Sequence, residues 1–318
     1  MNSLLSIVVP VLNEKAHVLP LLMSIHSQTY RPVEVVMVDG GSTDGTLTLV
    51  EEFAGRMNSE DFTVAVMKAG GNVSASRNQG VRASHGENVL QLDADFVLPD
   101  FETLRQLNDA LETCDIAYFN TATIAESSLE YNLMLDSRTP LFSLNGVGGW
   151  AFKRALLERF QFDDSLGFGE DMDFLNRLSA SGLLRPALIK GVGLRHFPHT
   201  FHELRRQKLW YGRTVLSWIR KHHSLREMLV LSPLVAFGLL VLLPLAFLFS
   251  FALGVGLSVI FLSIPSALLA RSTTKNVKRL AYLLFVRTIY GSFFFSVGFL
   301  QGLIQQMTKG SAKMPRDY

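Results

Sequence analysis

The chain has 318 residues, 48% of them apolar and 18% charged, and its mean hydropathy is positive. That composition excludes a disordered, collagen-like or disulfide-scaffold protein, and it is high enough in apolar residues to predict that part of the chain lies in lipid. The net charge of +2 hides a division: residues 1–200 carry 15 Lys and Arg against 25 Asp and Glu, and the remainder carries 15 against 3, an acidic region joined to a basic apolar one, which points to a membrane surface and away from nucleic acid.

The chain opens on an apolar run, Leu4 to Val11, with no basic segment or cleavage site behind it, so no signal peptide is expected. β-branched runs then alternate with helical stretches: Leu5–Val11 and His17–Thr29, Val33–Asp39 and Thr46–Arg56, Phe62–Met67 and Ser76–Ser84, Val89–Asp93 and Phe101–Leu111. Runs that are apolar throughout, alternating with helices, predict an α/β fold with a mainly parallel sheet covered on both faces. Its binding crevice should lie at the carboxyl ends of the strands. Asn13, Glu14, Asp39, Asp93 and Asp95 all fall on that edge. Cys114 is the single cysteine, which rules out an intrachain disulfide and fits the reducing cytoplasmic side.

Beyond Ile116 the pattern is irregular, with a Gly-rich segment at Asn145–Gly149, a predicted helix over Phe152–Arg159, and an acidic stretch, Gly167–Asp173, that opens another helix ending near Gly182. Residues 202–226 are rich in Arg and Lys interleaved with Trp210, Tyr211 and Trp218, the pattern of an interfacial amphipathic segment. From Met228 to Ala270 there are 43 residues without a charge, room for two transmembrane helices. A basic loop, Arg271–Arg279, follows, and then a third apolar segment, Leu280–Ile304, interrupted by Arg287. Basic residues on both sides of the first two helices place both flanks in the cytoplasm, so a third crossing would carry the basic tail outside; a re-entrant or interfacial third segment is preferred.

Asp93-Ala94-Asp95 sets two carboxylates just past an apolar strand, where one or both can hold Mg2+ or Mn2+ that takes its other oxygens from phosphates. Asp39, ending the second strand before Gly40-Gly41, can accept hydrogens from a base or ribose, and Asp44 can cap the following helix. Glu170, Asp171 and Asp173 stand at a helix start, where they suit either catalysis or the positive helix end.

Taken together, Pro10-Val11-Leu12-Asn13-Glu14, Val36 to Thr46, Ser74 to Gly80 and Asp93 to Asp95 resemble glycosyltransferase family 2, the inverting enzymes of the GT-A fold, over residues 4–200. The resemblance implies a nucleotide-sugar donor site at Pro10, Asn13, Glu14, Asp39, Arg77, Asp93, Ala94, Asp95, Gly148, Gly149 and Trp150. It also implies a metal held by Asp93, Asp95 and His196, with Mn2+ or Mg2+ as cofactor. Asp171 becomes the general base and Glu170 a contact to sugar or acceptor hydroxyls. Gly40 stands where many members have a second Asp, so no ligand carboxylate is expected there. Arg205, Arg206, Tyr211 and Arg213 are the candidates for an acceptor or lipid phosphate.

The resulting reading is a cell-membrane, multi-pass protein. It has a cytoplasmic GT-A catalytic domain over 1–203, a basic interfacial segment over 204–227, two transmembrane helices over 228–270, a loop over 271–279, a third membrane-associated or transmembrane helix over 280–304 and a basic tail over 305–318. Its expected partners are a nucleotide-sugar donor (UDP- or GDP-linked), a lipid or lipid-linked saccharide acceptor and the bilayer. The alternative is a polyprenyl-phosphate glycosyltransferase, a family that generally lacks the Glu170-Asp171 pair. A nucleotidyltransferase would need a Gly-rich, Arg-containing first loop in place of Pro10–Glu14, and a non-catalytic adaptor would be expected to lose Asp93, Asp95 or Asp171.

Overall fold

The computed structural model describes residues 2–68, 70–123, 148–195, 201–223, 231–251 and 289–309. They fall into two compact units, the first built from Met1–Ile124 and Leu144–Phe197, the second containing the helices from Phe201 onward.

In the first unit, β1 (Leu5–Val11), α1 (Val18–His26), β2 (Val33–Asp39), α2 (Thr46–Met57), β3 (Phe62–Lys68), α3 (Val73–Ala83) and β4 (Asn88–Gln91) alternate as the sequence predicts. β1 pairs in parallel with β2 and β4, and β2 with β3. Every residue of β2 is buried and β1 is buried throughout except Pro10, because both sheet faces are covered. Ile7 and Val9 pack with Leu21, Leu22 and Ile25 on one face, while Val8 packs with Val81, Phe152 and Phe174 on the other. The charge inside β2, Glu34, is answered by the Ser6 hydroxyl at 2.5 Å and the His85 ring at 2.9 Å, and those hydrogen bonds hold its pKa below the ordinary value despite burial.

The continuation is β5 (Phe96–Val97), α4 (Thr103–Leu111), β6 (Ile116–Thr123), β7 (Trp150–Lys153), α5 (Arg154–Phe160), α6 (Glu170–Ala180) and β8 (Ala187–Arg195). The eight strands lie in the order β3-β2-β1-β4-β7-β6-β8-β5. The chain departs from the sequence expectation in several places. The fourth strand ends at Gln91, which leaves Asp93 and Asp95 on the connection to β5. Trp150–Lys153, expected partly as helix, is a strand antiparallel to β4 and β6. α3 begins at Val73, three residues early, because the Asn72 side chain accepts the Ala75 N–H as its cap. The switch point, where strand order reverses, lies between β1 and β4, so the loops after those strands border the crevice.

The second unit contains α7 (Phe201–Lys221), α8 (Ser232–Phe249) and α9 (Ser292–Lys309). α7 and α9 run parallel: the Tyr290 hydroxyl, just before α9, donates to the Phe201 carbonyl at 2.7 Å, Arg205 lies 5.8 Å from the Phe294 ring, and Arg220 donates to Gln306 at 2.6 Å. A Cβ added at Gly212 would stand 2.0 Å from the Phe295 carbonyl, and one at Gly298 2.2 Å from that of Leu209, so the two backbones touch where side chains are missing. Of the segment 228–270, expected to cross a membrane twice, 231–251 is described. Among the described residues no helix is long and apolar enough to cross a membrane. α8 is a helix of 18 uncharged residues. The rest of 228–270, the loop 271–279, Arg287 and the tail from 310 lie outside the described residues.

Candidate functional site

Two groups of polar residues meet the carboxyl edge of the sheet. The first knits the loops after β1 and β2 together. Asp39 is 1% exposed, and its carboxylate accepts the N–H of Gly41 at 3.1 Å and of Ser42 at 3.0 Å. Asn13 has a left-handed backbone (φ 57°), which its short polar side chain tolerates; its N–H donates to Ser42 Oγ and its Oδ1 accepts from the Thr43 N–H, both at 2.9 Å. The Glu14 N–H donates to Thr46 Oγ1 at 2.9 Å, while its carboxylate meets the His17 ring at 2.7 Å. Asp44 caps as expected in function, though Gly45 holds the cap position: it accepts from the Thr46 amide at 2.9 Å and the Lys15 amide at 3.0 Å. Against the opposing effect of burial, those hydrogen bonds and the Thr46 hydroxyl hold the Asp44 pKa below its ordinary value.

The second group centres on Arg77. Its guanidinium is buried, with Nη2 2.7 Å from Asp93 Oδ1, Nη1 3.4 Å from Gln91 Oε1 and its centre 5.7 Å from the Phe162 ring. Burial alone would lower its pKa; the carboxylates of Asp93, Glu170 and Asp171 outweigh that and raise it, so the cation is permanent. Glu170, 9% exposed, is pushed up to about 8 by burial and by the charge of Asp171 beside it, with Arg77 pulling the other way. Asp171 is half-buried and accepts the Met172 N–H at 2.8 Å. Asp173 serves the fold: 1% exposed, it holds Arg177 Nε at 2.8 Å, and the same guanidinium reaches the carbonyls of Phe160 and Gln161.

Asp93 is 20% exposed in its side chain and Asp95 half-buried. A Cβ on residue 148 would lie 2.4 Å from Asp93 Oδ2, so the glycine there is what leaves that flank of the carboxylate open. Two aspartates, one shared with Arg77, suit a hard divalent ion that draws its remaining oxygens from phosphate and water. They are too few to cage one alone, and among the described residues no group of three or more His, Cys, Asp or Glu gathers as a metal site. His196 lies outside the described residues.

Trp150, implied as a donor-site residue, is a core tryptophan: it is 3% exposed and stacked on Tyr118 at 4.8 Å, with the Phe152 ring at 6.2 Å. Pro10 and Ala94 are backbone neighbours of the site, and Gly149 bends the chain at φ 88° into β7. Arg205, Arg206, Tyr211 and Arg213 all lie on α7 in the second unit. Arg205 and Arg206 are exposed; Tyr211 is half-buried, with Lys208 Nζ 5.4 Å from its ring centre. The residues that sequence reasoning passed over are Asn72, Ser74 and Asn78 of the α3 region, whose side chains hold the segment 162–166 that leads to α6. The sequence offers only the polar run Ser74 to Asn78 as a signal; that the helix buries Ser74, Ser76, Arg77 and Asn78 together is seen in the structure.

Comparison with known proteins bears on this site. The model of Glycosyl transferase family 2 matches residues 6–175. The succinoglycan biosynthesis protein ExoA of Rhizobium meliloti is 30% identical over 258 residues, covering 74% of this chain and 77% of its own. Glycosyltransferase GlyG of Streptococcus pneumoniae is 30% identical over 108 residues, a third of this chain (33%) and 35% of its own length; against that relative the chain spans well under two thirds. Among solved structures, the mannosyltransferase PcManGT of Pyrobaculum calidifontis, in complex with GDP-Man and Mn2+, superposes with a TM-score of 0.52 at 20% identity, covering 98% of this chain and 89% of that one.

Proposed function

The chain belongs to glycosyl transferase family 2, and from that membership we propose that it moves a sugar, with inversion, from a UDP- or GDP-linked donor to a hydroxyl of a membrane-associated lipid or lipid-linked saccharide. The observation that carries the reading is the gathering around Arg77, where a buried cation answers Asp93 from the donor side and feels Glu170 and Asp171 from the head of α6. Inverting transfer needs such an opposition: a group that receives the acceptor proton on one side of the sugar, and a group that steadies the departing diphosphate on the other.

In this reading Asp171 takes the acceptor proton as the oxygen attacks the anomeric carbon and the bond to the nucleoside diphosphate breaks. Glu170, protonated at neutral pH because burial and Asp171 raise it to about 8, donates a hydrogen bond to a sugar or acceptor oxygen. Arg77 holds Asp93 in orientation and contributes positive potential toward the diphosphate. A divalent ion at Asp95 and Asp93, Mn2+ or Mg2+, would supply a Lewis acid for the charge gathering on the leaving group. The Mn2+ and GDP-Man held by PcManGT support that assignment. The loops around Asn13, Glu14 and Asp39 are proposed to face the nucleoside, with Asp39 acting through the turn that it fixes.

The membrane acceptor rests on the second unit. α7 exposes Arg205, Arg206, Arg220 and Lys221, a basic set suited to lipid phosphates. Near and along α9, Ile289, Phe293, Leu300, Ile304 and Met307 are exposed at helical spacing, a stripe suited to hydrocarbon. ExoA, named for the biosynthesis of a glycan, supports a saccharide acceptor. The test is calorimetry of UDP and GDP with and without Mn2+. One nucleotide should bind with the metal, and Asp95→Asn should weaken it about tenfold or more, a difference of ~1.4 kcal/mol. Equal binding without metal would remove the ion from the reading; no binding of either nucleotide to folded protein would remove the donor site.

A further inference from the structure

α3 carries Arg77 and, one residue on, Asn78, which is 5% exposed and makes three hydrogen bonds to a distant segment. Its Nδ2 donates to the Phe162 carbonyl at 2.8 Å and to Asp164 Oδ1 at 2.7 Å, and its Oδ1 accepts the Phe162 N–H at 2.9 Å. The same segment is tied at two more points, by Asn72 Nδ2 to the Leu166 carbonyl at 2.8 Å and by Ser74 Oγ to it at 3.1 Å. Phe162, whose backbone Asn78 grips, lays its ring 5.7 Å from the Arg77 guanidinium and stacks it at 4.5 Å on Phe174, one turn into α6. Glu170 and Asp171 open that helix, four and five residues after Leu166.

We propose that Asn78 is a positioning residue for transfer: by pinning Phe162 and Asp164 to α3 it fixes the head of α6, and so the Glu170-Asp171 pair, against the guanidinium that holds Asp93. The proposal rests on the reading of Asp171 as the base. The chemistry of an amide is specific here. The side chain must donate to a carbonyl and a carboxylate while accepting from an amide, and neither a carboxylate nor an apolar side chain can do both. A shift of about 1 Å in a group that must meet a reacting atom costs on the order of a hundredfold in rate, so a brace at this point acts on turnover and leaves the nucleotide-facing loops alone.

The experiment compares wild type, Asn78→Asp and Asn78→Asp/Asp164→Asn. The single variant sets two carboxylates against each other and loses both donors; the double variant restores one donor–acceptor pair. Hydrogen exchange is followed at 165–173 and, as an internal reference, at β1 and β4, together with consumption of UDP-glucose or GDP-mannose and affinity for UDP or GDP with Mn2+. The single variant is expected to speed exchange at 165–173 only and to lower kcat about tenfold or more, with nucleotide affinity within about threefold; the double variant should regain part of both. Unchanged exchange at 165–173 in Asn78→Asp would overturn the proposal, as would an equal loss of nucleotide affinity and kcat with faster exchange throughout the sheet. If exchange responds and is rescued while Asp171→Asn consumes donor at the wild-type rate, the base assignment falls and the brace on α6 stands.

Discussion

The loops after β1 and β2 and the cluster at Arg77 both bury acid at one edge of one sheet, yet they answer it by opposite means. Asp39 meets backbone amides of its own turn at 3.0 to 3.2 Å, and Asp44 the Thr46 amide of its turn at 2.9 Å, with the Lys15 amide of the neighbouring loop adding one at 3.0 Å. Asp93, Glu170 and Asp171 converge on a single guanidinium contributed by a third element. Hydrogen-bond donors favour the charged carboxylate, so Asp44 lies below its ordinary pKa; burial and the neighbouring charge of Asp171 raise Glu170 far above its own, and the single cation of Arg77 does not offset them. On the proposed reading the difference separates the nucleotide-side loops from the transfer centre: the loop acids are satisfied mostly by nearby backbone amides, and the acids proposed to act on the sugar depend on a partner from a distant element.

The sharpest way to break the comparison is Arg77→Met. Removing the cation leaves a buried acidic cluster with no counter-charge, and loss of one partner of a buried pair costs about 3–5 kcal/mol. Urea unfolding should show a loss of that order, and nucleotide binding should vanish with it. A cost below about 1 kcal/mol would mean that the carboxylates find other partners and that Arg77 does not organise them. Next in size is Asp171→Asn, expected to lower transfer to a hydroxyl about 10²–10⁴-fold with nucleotide affinity nearly unchanged. Full turnover toward a polyprenyl phosphate by that variant would favour the phosphate-acceptor alternative, since an ionised acceptor needs no base.

Much of the scaffold was legible and much of the centre was not, for the same physical reason. β1, β2 and β3 announce themselves as mostly apolar, β-branched runs, and their predicted bounds hold to within a residue of those observed. Trp150–Lys153 is strand only because β4 and β6 pair with it; its four residues run straight into the helix formers of α5, and no local period separates the two. β8, with glycines at 191 and 193, was legible only as a strand before His196, without its bounds. The acids at 93, 95, 170 and 171 could be picked out by residue type and place. That Arg77 stands among them, and that Asn78 holds a backbone 84 residues away, is tertiary information that no spacing encodes. The burial of Trp150 is tertiary in the same way, since Tyr118 stacks on it from β6 and Phe152 lies beside it two residues along β7.

The smallest effects give the cleanest contrast, because the two regions should tilt stability in opposite directions with pH. Glu170 binds its proton up to about pH 8 in the folded chain and releases it near 4.5 when unfolded. Between those values the folded state holds the extra proton, so this group's contribution is complete below pH 4.5 and is lost as pH rises toward 8. Asp44 runs the other way. Its folded pKa lies below the ordinary 3.8, so its contribution is present above that value and is lost as pH falls through the lowered one. Glu170→Gln, neutral and of the same shape, should therefore match wild type near pH 5 and exceed it in melting temperature near pH 8. Asp44→Asn should approach wild type as pH falls through the lowered pKa of Asp44 and fall short by about 1 kcal/mol at neutral pH, the scale of a few rearranged hydrogen bonds. Parallel pH profiles for the two variants would mean that the acids of the loops and of the cluster sit in one kind of environment, and the division between nucleotide-side loops and proposed transfer centre would have to be drawn elsewhere.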